Sequence, residues 1–289
     1  MLAPALVLVA TPIGNLGDLS PRALAALRDA DSILCEDTRV TGPMLARQGI
    51  TTPLVPLHDH NEAGMAPRLV ERMQGGTRFA LVSDAGTPLM SDPGFRLARA
   101  AIEAGVAVSA VPGPNAAVMA LTLSGLPPHP FLFGGFLPPK PAARTAELGR
   151  LVAAERAGLR ATLIFYEAPH RLAEALAALR DGLGAARPAA VARELTKRFE
   201  EVRRGTLDAL AAHYAAHAPR GEIVVVVGPP AEEEAPAADA LDAALRRALA
   251  GGASLRDAAA MVAAATGLPR RQVYARALQL NSDQTASTT

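Results

Sequence analysis

One unit recurs in the first 120 residues and most constrains the fold: a short apolar run, a loop dense in glycine and proline, then an amphipathic helix. Leu6–Ala10 leads into Thr11–Asp18 and a helix opened by Ser20-Pro21, with Ser as N-cap and Pro at the first helical position. Ser32–Cys35 reads as the next strand. Phe79–Val82 leads into the loop Ser83–Gly94 and a helix opened by Asp92-Pro93, and Ala107–Val111 into Pro112-Gly113-Pro114-Asn115 and a further helix. Strand, loop and helix in series predict an α/β fold with a largely parallel sheet. Ligands of such sheets bind beyond the carboxyl ends of the strands.

A proline-rich joint, Leu126-Pro127-Pro128-His129-Pro130, separates this pattern from a second α/β pattern. The second has strands at Thr162–Phe165, Ala189–Ala192 and Ile223–Val227, helices near 142–156, 169–180 and 206–217, and ends at Pro229-Pro230. The expected division is an α/β domain at 1–125, a second at 126–230, an acidic Ala/Pro-rich linker at 231–240, a helical domain at 241–280 and a disordered tail at 281–289. In the helical domain Ser254 caps one helix, Thr266-Gly267 ends it and Pro269 starts another. That is a helix-turn-helix pattern or a small packed helical cap.

Half of the 289 residues are hydrophobic, charged residues make up 20% and the net charge is +1, which excludes a chain disordered throughout. A single cysteine, Cys35, excludes a disulfide scaffold. No apolar run reaches the roughly 18 residues of a membrane span, and the amino terminus has no basic leader segment. A soluble cytoplasmic protein is expected. The charge is uneven: residues 121–230 carry 14 basic groups against 10 acidic, and 241–280 carry six arginines against Asp242 and Asp257. A polyanion could match these parts, as could an ordinary solvated surface. Of the 29 basic residues only two, Lys140 and Lys197, are lysines.

Several chemistries are absent as motifs: there is no G-x-x-x-x-G-K-[ST], no G-x-G-x-x-G after the first strand, no C-x-x-C, no H-E-x-x-H and no G-x-S-x-G. His58 and His60 flank Asp59 on a predicted loop, but no third ligand stands at metal spacing, so no metal site is expected. The loops remain. Thr11–Asp18 can turn backbone N–H groups toward an anion, Ser83–Gly94 is long for this fold class and suits a small-molecule cradle, and Pro112–Asn115 forms a rigid wall. Ala192–Lys197 crowds polar groups at a strand end. There Lys197 is an ion-pair partner, a phosphate contact or an activated amine.

Nine segments together carry a resemblance: T-P-I-G-N-L-G-D at 11–18, E-D-T-R at 36–39, L-H-D-H-N-E at 57–62, S-D-A-G-T-P-L-M-S-D-P-G at 83–94, V-P-G-P-N-A at 111–116, G-F-L-P-P-K at 135–140, F-Y-E-A-P-H-R at 165–171, A-R-E-L-T-K at 192–197 and R-G-E-I-V-V-V-V at 220–227. With them the chain resembles the tetrapyrrole-methylase superfamily, and within it the ribosomal RNA small subunit methyltransferase I family. The helical unit resembles the domain appended in that family. The resemblance implies two α/β domains with S-adenosyl-L-methionine (SAM) in the cleft between them, a homodimer, and 2′-O-methylation of a cytidine ribose in 16S rRNA of the 30S subunit. A superfamily relative acting on a small tetrapyrrole-like molecule, or a noncatalytic ribosome-assembly factor, is the alternative.

By the same resemblance Pro12, Gly14, Ser83, Asp84, Ala85, Gly86, Thr87 and Pro112 line the first-domain side of the cofactor cleft. Tyr166, Arg193, Glu194, Leu195 and Gly221 line the other. Removing the hydroxyl proton needs a base, and Lys197, Glu194, His60 and Asp37 are the candidates. A lysine serves only if its pKa is depressed. Arg39, Phe136, Lys140, Arg144, Arg171, Arg270 and Arg271 are the candidate RNA contacts. The stretch Pro139–Arg144 is less basic than is usual in that family.

Overall fold

The computed structural model describes residues 4–231 and 238–286. They fall into two compact units, one ending at Pro230 and the other starting at Ala231.

The first unit holds two five-stranded sheets. Strands β1 (Leu6–Val9), β2 (Ser32–Cys35), β3 (Leu54–Pro56), β4 (Phe79–Leu81) and β5 (Val108–Val111) form one, in the order β3-β2-β4-β1-β5. Every pairing in it is parallel. Helices α1 (Pro21–Asp29), α2 (Thr38–Arg47), α3 (Asp59–Gln74), α4 (Phe95–Glu103) and α5 (Ala116–Ser124) connect or follow these strands. Ser20 accepts the Ala23 N–H and Asn115 the Val118 N–H, so α1 and α5 start at side-chain caps, each worth about 1 kcal/mol.

Three details differ from the sequence reading. The helix expected from Pro93 starts at Phe95, because Gly94 at φ +115° turns the chain into it. The amino end of α4 is held by a carboxylate from another helix: buried Glu62 of α3 accepts the Leu97 N–H at 2.9 Å. Of the two histidines expected on a loop, His58 ends the loop before α3 as its cap residue, and His60 sits in the first turn of the helix.

The second sheet contains β6 (Phe131–Phe136), β7 (Thr162–Glu167), β8 (Pro188–Arg193), β9 (Glu201–Thr206) and β10 (Ile223–Val227), in the order β6-β7-β10-β8-β9. Only β6–β7 is parallel; the other three pairings are antiparallel. The expectation of parallel pairing, drawn from the first 120 residues, holds for the first sheet; the second is mixed. Helices α6 (Pro141–Arg156), α7 (Leu172–Leu183) and α8 (Leu207–Ala216) cover it. Its other face receives α5 of the first sheet's series. Ala117, Ala120 and Leu121 of α5 pack with Ile13 against Ile164, Ala190, Ala192, Val224 and Val226. This shared core joins the two sheets and fixes the loops of one against the strand ends of the other.

The second unit is helical: α9 (Ala238–Ala250), α10 (Leu255–Thr266) and α11 (Arg270–Ala286). Ser254 caps α10, and Gly267 at φ +70° ends it. Leu245, Val262 and Val273 form the centre of its core. Helix α11 runs through Ala286, past residue 280 where a disordered tail was expected; most of the expected acidic linker lies outside the described residues. No described helix is long and apolar enough to cross a membrane.

Candidate active site

The carboxyl ends of β1, β4 and β5 face the second sheet across a cleft of about 410 Å³, a size suited to one small organic ligand. Ile13, Ala85, Gly86, Met90 and Ala116 supply an apolar wall from the first sheet's loops, and Phe136, Tyr166, Leu195 and Val224 face them from the second. Asp84, Asp92 and Glu222 place carboxylates on the lining. An apolar slot with acidic groups suits a ligand that joins a flat ring to positive charge.

The loops are laced together by their own backbone. Thr11 and Gly86 exchange two hydrogen bonds, at 2.8 and 3.0 Å. Thr87 Oγ1 donates to the Pro114 carbonyl and accepts from Asn115 Nδ2. Ser83 is buried and turns its hydroxyl to the Ala85 and Gly86 carbonyls, so it shapes the loop and does not line the cleft. Among the described residues four that are not glycine have positive φ: Leu89 (69°), Ser91 (75°), Glu194 (51°) and Thr196 (66°). Each lies in a loop bordering the cleft, and such backbone costs about 1–3 kcal/mol per residue unless its surroundings impose it.

Lys197 bridges two carboxylates, with Nζ 2.8 Å from Glu194 Oε1 and 2.9 Å from Glu222 Oε2. Burial pulls its pKa down, but the two glutamates outweigh that and raise it above the usual lysine value. The bond from Lys197 holds Glu194 below the usual carboxylate range, helped by the Glu222 N–H. A depressed lysine pKa is the condition for Lys197 to act as a base, and its surroundings impose the opposite. Two glycines make this cluster possible. A Cβ on Gly221 would lie 2.2 Å from Glu194 Oε1, and one on Gly14 would lie 2.4 Å from Lys197 Cγ.

The opposite rim is acidic. Asp84 accepts the Asp37 N–H at 3.2 Å, and burial raises the pKa of Asp84 and of Glu36. Asp92 is shifted furthest among these, to about 6, by burial and then by the charges of Glu36, Asp84 and Asp59, with a hydrogen bond from Ser83 opposing. Burial also raises the Tyr166 phenol, whose ring packs edge-on to Phe133 and Phe136.

The residues singled out from sequence therefore separate. Asp84, Ala85, Gly86, Thr87, Tyr166, Leu195 and Gly221 line the cleft, as does Phe136. Pro12, Pro112 and Arg193 are not among the lining residues, and Arg193 is bonded to Glu201. Asp37 caps α2 and is paired with the exposed Arg39, which holds its carboxyl down at about 2. Two candidate RNA contacts need correcting. Arg144 is buried on α6 with Glu174 as its ionic partner, and Arg171 donates to the Leu137 carbonyl and pairs with Glu167, so both guanidiniums brace the second sheet. Lys140, Arg270 and Arg271 are exposed. Sequence reasoning missed Asp92 and Glu222; the second S-D pair of the 83–94 segment was the available signal for Asp92. Among the described residues no group of three or more His, Cys, Asp or Glu is arranged to hold a metal ion.

Two parallel-to-mixed sheets sharing one helix, with a loop-built cleft between them, define a class. Residues 5–211 match the model of the tetrapyrrole (corrin/porphyrin) methylases, and the chain belongs to that family. Residues 234–281 match the RsmI C-terminal HTH domain. Uroporphyrin-III C-methyltransferase of Thermus thermophilus shares the fold at a TM-score of 0.53 and 25% identity, over 76% of this chain and 93% of that one. Diphthine synthase does so at 0.59 and 17%, over 77% and 89%.

Within the family, two curated relatives that match nearly the whole length carry the same name. The ribosomal RNA small subunit methyltransferase I of Mesorhizobium japonicum is 51% identical over 96% of this chain and 93% of its own. That of Pseudomonas aeruginosa is 46% identical over 96% and 98%. The resemblance drawn from the nine motifs is borne out.

Proposed function

We propose that this protein is a SAM-dependent methyltransferase that modifies the 2′-hydroxyl of a cytidine in 16S rRNA of the small ribosomal subunit. The observation that carries this reading is the cleft, apolar on two walls and carboxylate-bearing on its rim, in a chain alike over nearly its full length to rRNA small subunit methyltransferases. Ala85, Ala116, Leu195 and Val224 would hold an adenine ring, and Asp84 would offset the positive charge of the ligand. Bound there, SAM supplies a methyl group made electrophilic by its cationic sulfur.

The protein's own part is positioning and proton removal. Rigid loops that fix the reacting groups can contribute up to about 7–11 kcal/mol, and a well-placed base about 10²–10⁴-fold. We assign the base to the Asp92 carboxylate. It lines the cleft and titrates nearest neutrality, whereas Lys197 and Glu194 satisfy each other as an ion pair. Lys197 then serves as a brace between the 11–18 loop and the second sheet.

The reading extends to a cytoplasmic homodimer. Phe95 and Ile102, 62% and 63% exposed on α4, offer an apolar face for a second copy. Calorimetric titration of the protein with SAM tests the cofactor assignment. One SAM per chain, lost on Gly86→Val, is expected; no binding overturns it.

A further inference from the structure

The connection from β8 to β9 does more than close the cleft. Its backbone is fixed at several points: the Lys197 N–H donates to the Glu194 carbonyl at 3.0 Å, the Glu200 N–H to the Lys197 carbonyl at 3.2 Å, and the Thr196 N–H to Glu200 Oε2 at 2.7 Å. Glu194 and Thr196 are held at positive φ, and Lys197 is anchored to two carboxylates. This ordered loop displays an apolar ring to water: Phe199 is 65% exposed. The Arg198 guanidinium lies 5.5 Å from the ring centroid.

The neighbouring cations are otherwise committed. Arg193 and Arg203 share Glu201, and Lys197 holds Glu194 and Glu222. Arg198 and the exposed Arg220, next to cleft-lining Gly221, have no carboxylate partner among the described residues. An aromatic face with the Arg198 cation on one side suits an unstacked nucleobase, and the uncompensated guanidiniums of Arg198 at the ring and Arg220 beside cleft-lining Gly221 suit phosphates of the same strand. A paired base in a helix keeps its faces stacked and could not use the ring.

We propose that Phe199, with Arg198 and Arg220, is a stacking platform for an unpaired nucleotide of the RNA strand that delivers its neighbour to the cleft. This rests on the reading of RNA as substrate and assigns it a single-stranded conformation at the rim.

The full-length protein supplies its own probe, since it contains no tryptophan. In Phe199→Trp the indole would be the sole one, and a 12-nucleotide single-stranded RNA should quench it while the same sequence in a duplex should not. Phe199→Ala should weaken binding of the fluorescein-labelled single strand about tenfold, and Arg198→Gln should weaken it and flatten its salt dependence. SAM binding and melting temperature should stay unchanged. Single-strand affinity equal to wild type in Phe199→Ala, or equal quenching by duplex, overturns the proposal while leaving RNA as substrate. Loss of self-association in Phe199→Ala with RNA affinity intact would make the ring a contact between copies and overturns it too. Failure of the wild type to bind any RNA overturns the RNA reading itself.

Discussion

The stem of Lys197 lies across Gly14 so closely that a methyl group at Gly14 would stand 2.4 Å from Lys197 Cγ and 2.8 Å from Cε. One residue belongs to the loop after β1 and the other to the loop after β8, so the contact ties the two sheets together at the cleft. It cannot relax by swinging the lysine away, because Nζ is bonded to Glu194 and Glu222. The lysine that stands out in an arginine-rich chain is thus shaped to its place by a thin stem and a compact ammonium; a planar guanidinium would not fit the same pair of carboxylates in the same way.

Gly14→Ala should therefore destabilise the protein by about 1–3 kcal/mol; the part owed to the contact should vanish in a Lys197→Ala background, while the strain of a side chain at φ +155° should remain. Urea unfolding of the four proteins measures the coupling, expected at about 1–2 kcal/mol. Additive costs would mean that the two loops are not braced through this contact.

Lys197→Met keeps the stem and removes the ammonium. Glu194 and Glu222 then face each other without a shared cation, so SAM should bind about tenfold more weakly, a loss of about 1.4 kcal/mol. The acid limb of the rate profile should stay where it was. Should turnover on saturating SAM fall by more than a hundredfold with loss of that limb, Lys197 would be the base and not the brace.

With Asp92 as the proposed base, its carboxyl would set that limb. Its carboxyl titrates at about 6, against the usual 3.8, so kcat/KM should fall as pH drops through about 6. The same shift weakens the fold. The native state holds the proton more tightly than the unfolded chain, so this stabilisation is full below about pH 3.8 and gone above about pH 6. The difference corresponds to about 3 kcal/mol, which screening at a half-buried site reduces to about 1–2 kcal/mol. Asp92→Asn should then melt higher than wild type at pH 7.5 and equally at pH 3.5, while turnover drops about 10²–10⁴-fold and SAM binding persists. Undiminished turnover would remove Asp92 from the reaction.

Most of the parallel sheet was legible because β1 and β4 are unbroken apolar runs, and β1, β4 and β5 lead into loops rich in glycine and proline; three-residue β3 was too short to read. Elements that hide those signals were not. Helix α2 carries Gly42 and Pro43, and α3 carries Gly64 and Pro67, so the sequence shows no helix there; buried Leu45, Leu69, Val70 and Met73 make them helices. Strand β9 is Glu-Val-Arg-Arg-Gly-Thr, an edge strand whose charges protect it from pairing with other chains and erase the apolar pattern. The loops that build the cleft could be read as loops. The roles of individual side chains could not, because partners such as Glu222 for Lys197 or Glu174 for Arg144 come from distant positions that only folding brings together.

The helical unit offers a separate test. Its exposed Arg270 and Arg271 open α11, and docking through phosphates would make its contribution salt-dependent. Removing residues 231–289 should leave SAM affinity unchanged, lower turnover on 30S particles about tenfold or more at 150 mM salt, and reduce the salt slope by about one or two. Equal turnover across a salt series would assign the unit no part in binding RNA.

The central claim is tested most directly by incubating the protein with methyl-labelled SAM and 30S subunits lacking the modification, then mapping the label to a nucleotide. Label on the ribose 2′-oxygen of a single 16S cytidine is the predicted result. Label on a base or only on a small molecule, or RNA bound without any transfer, would contradict it.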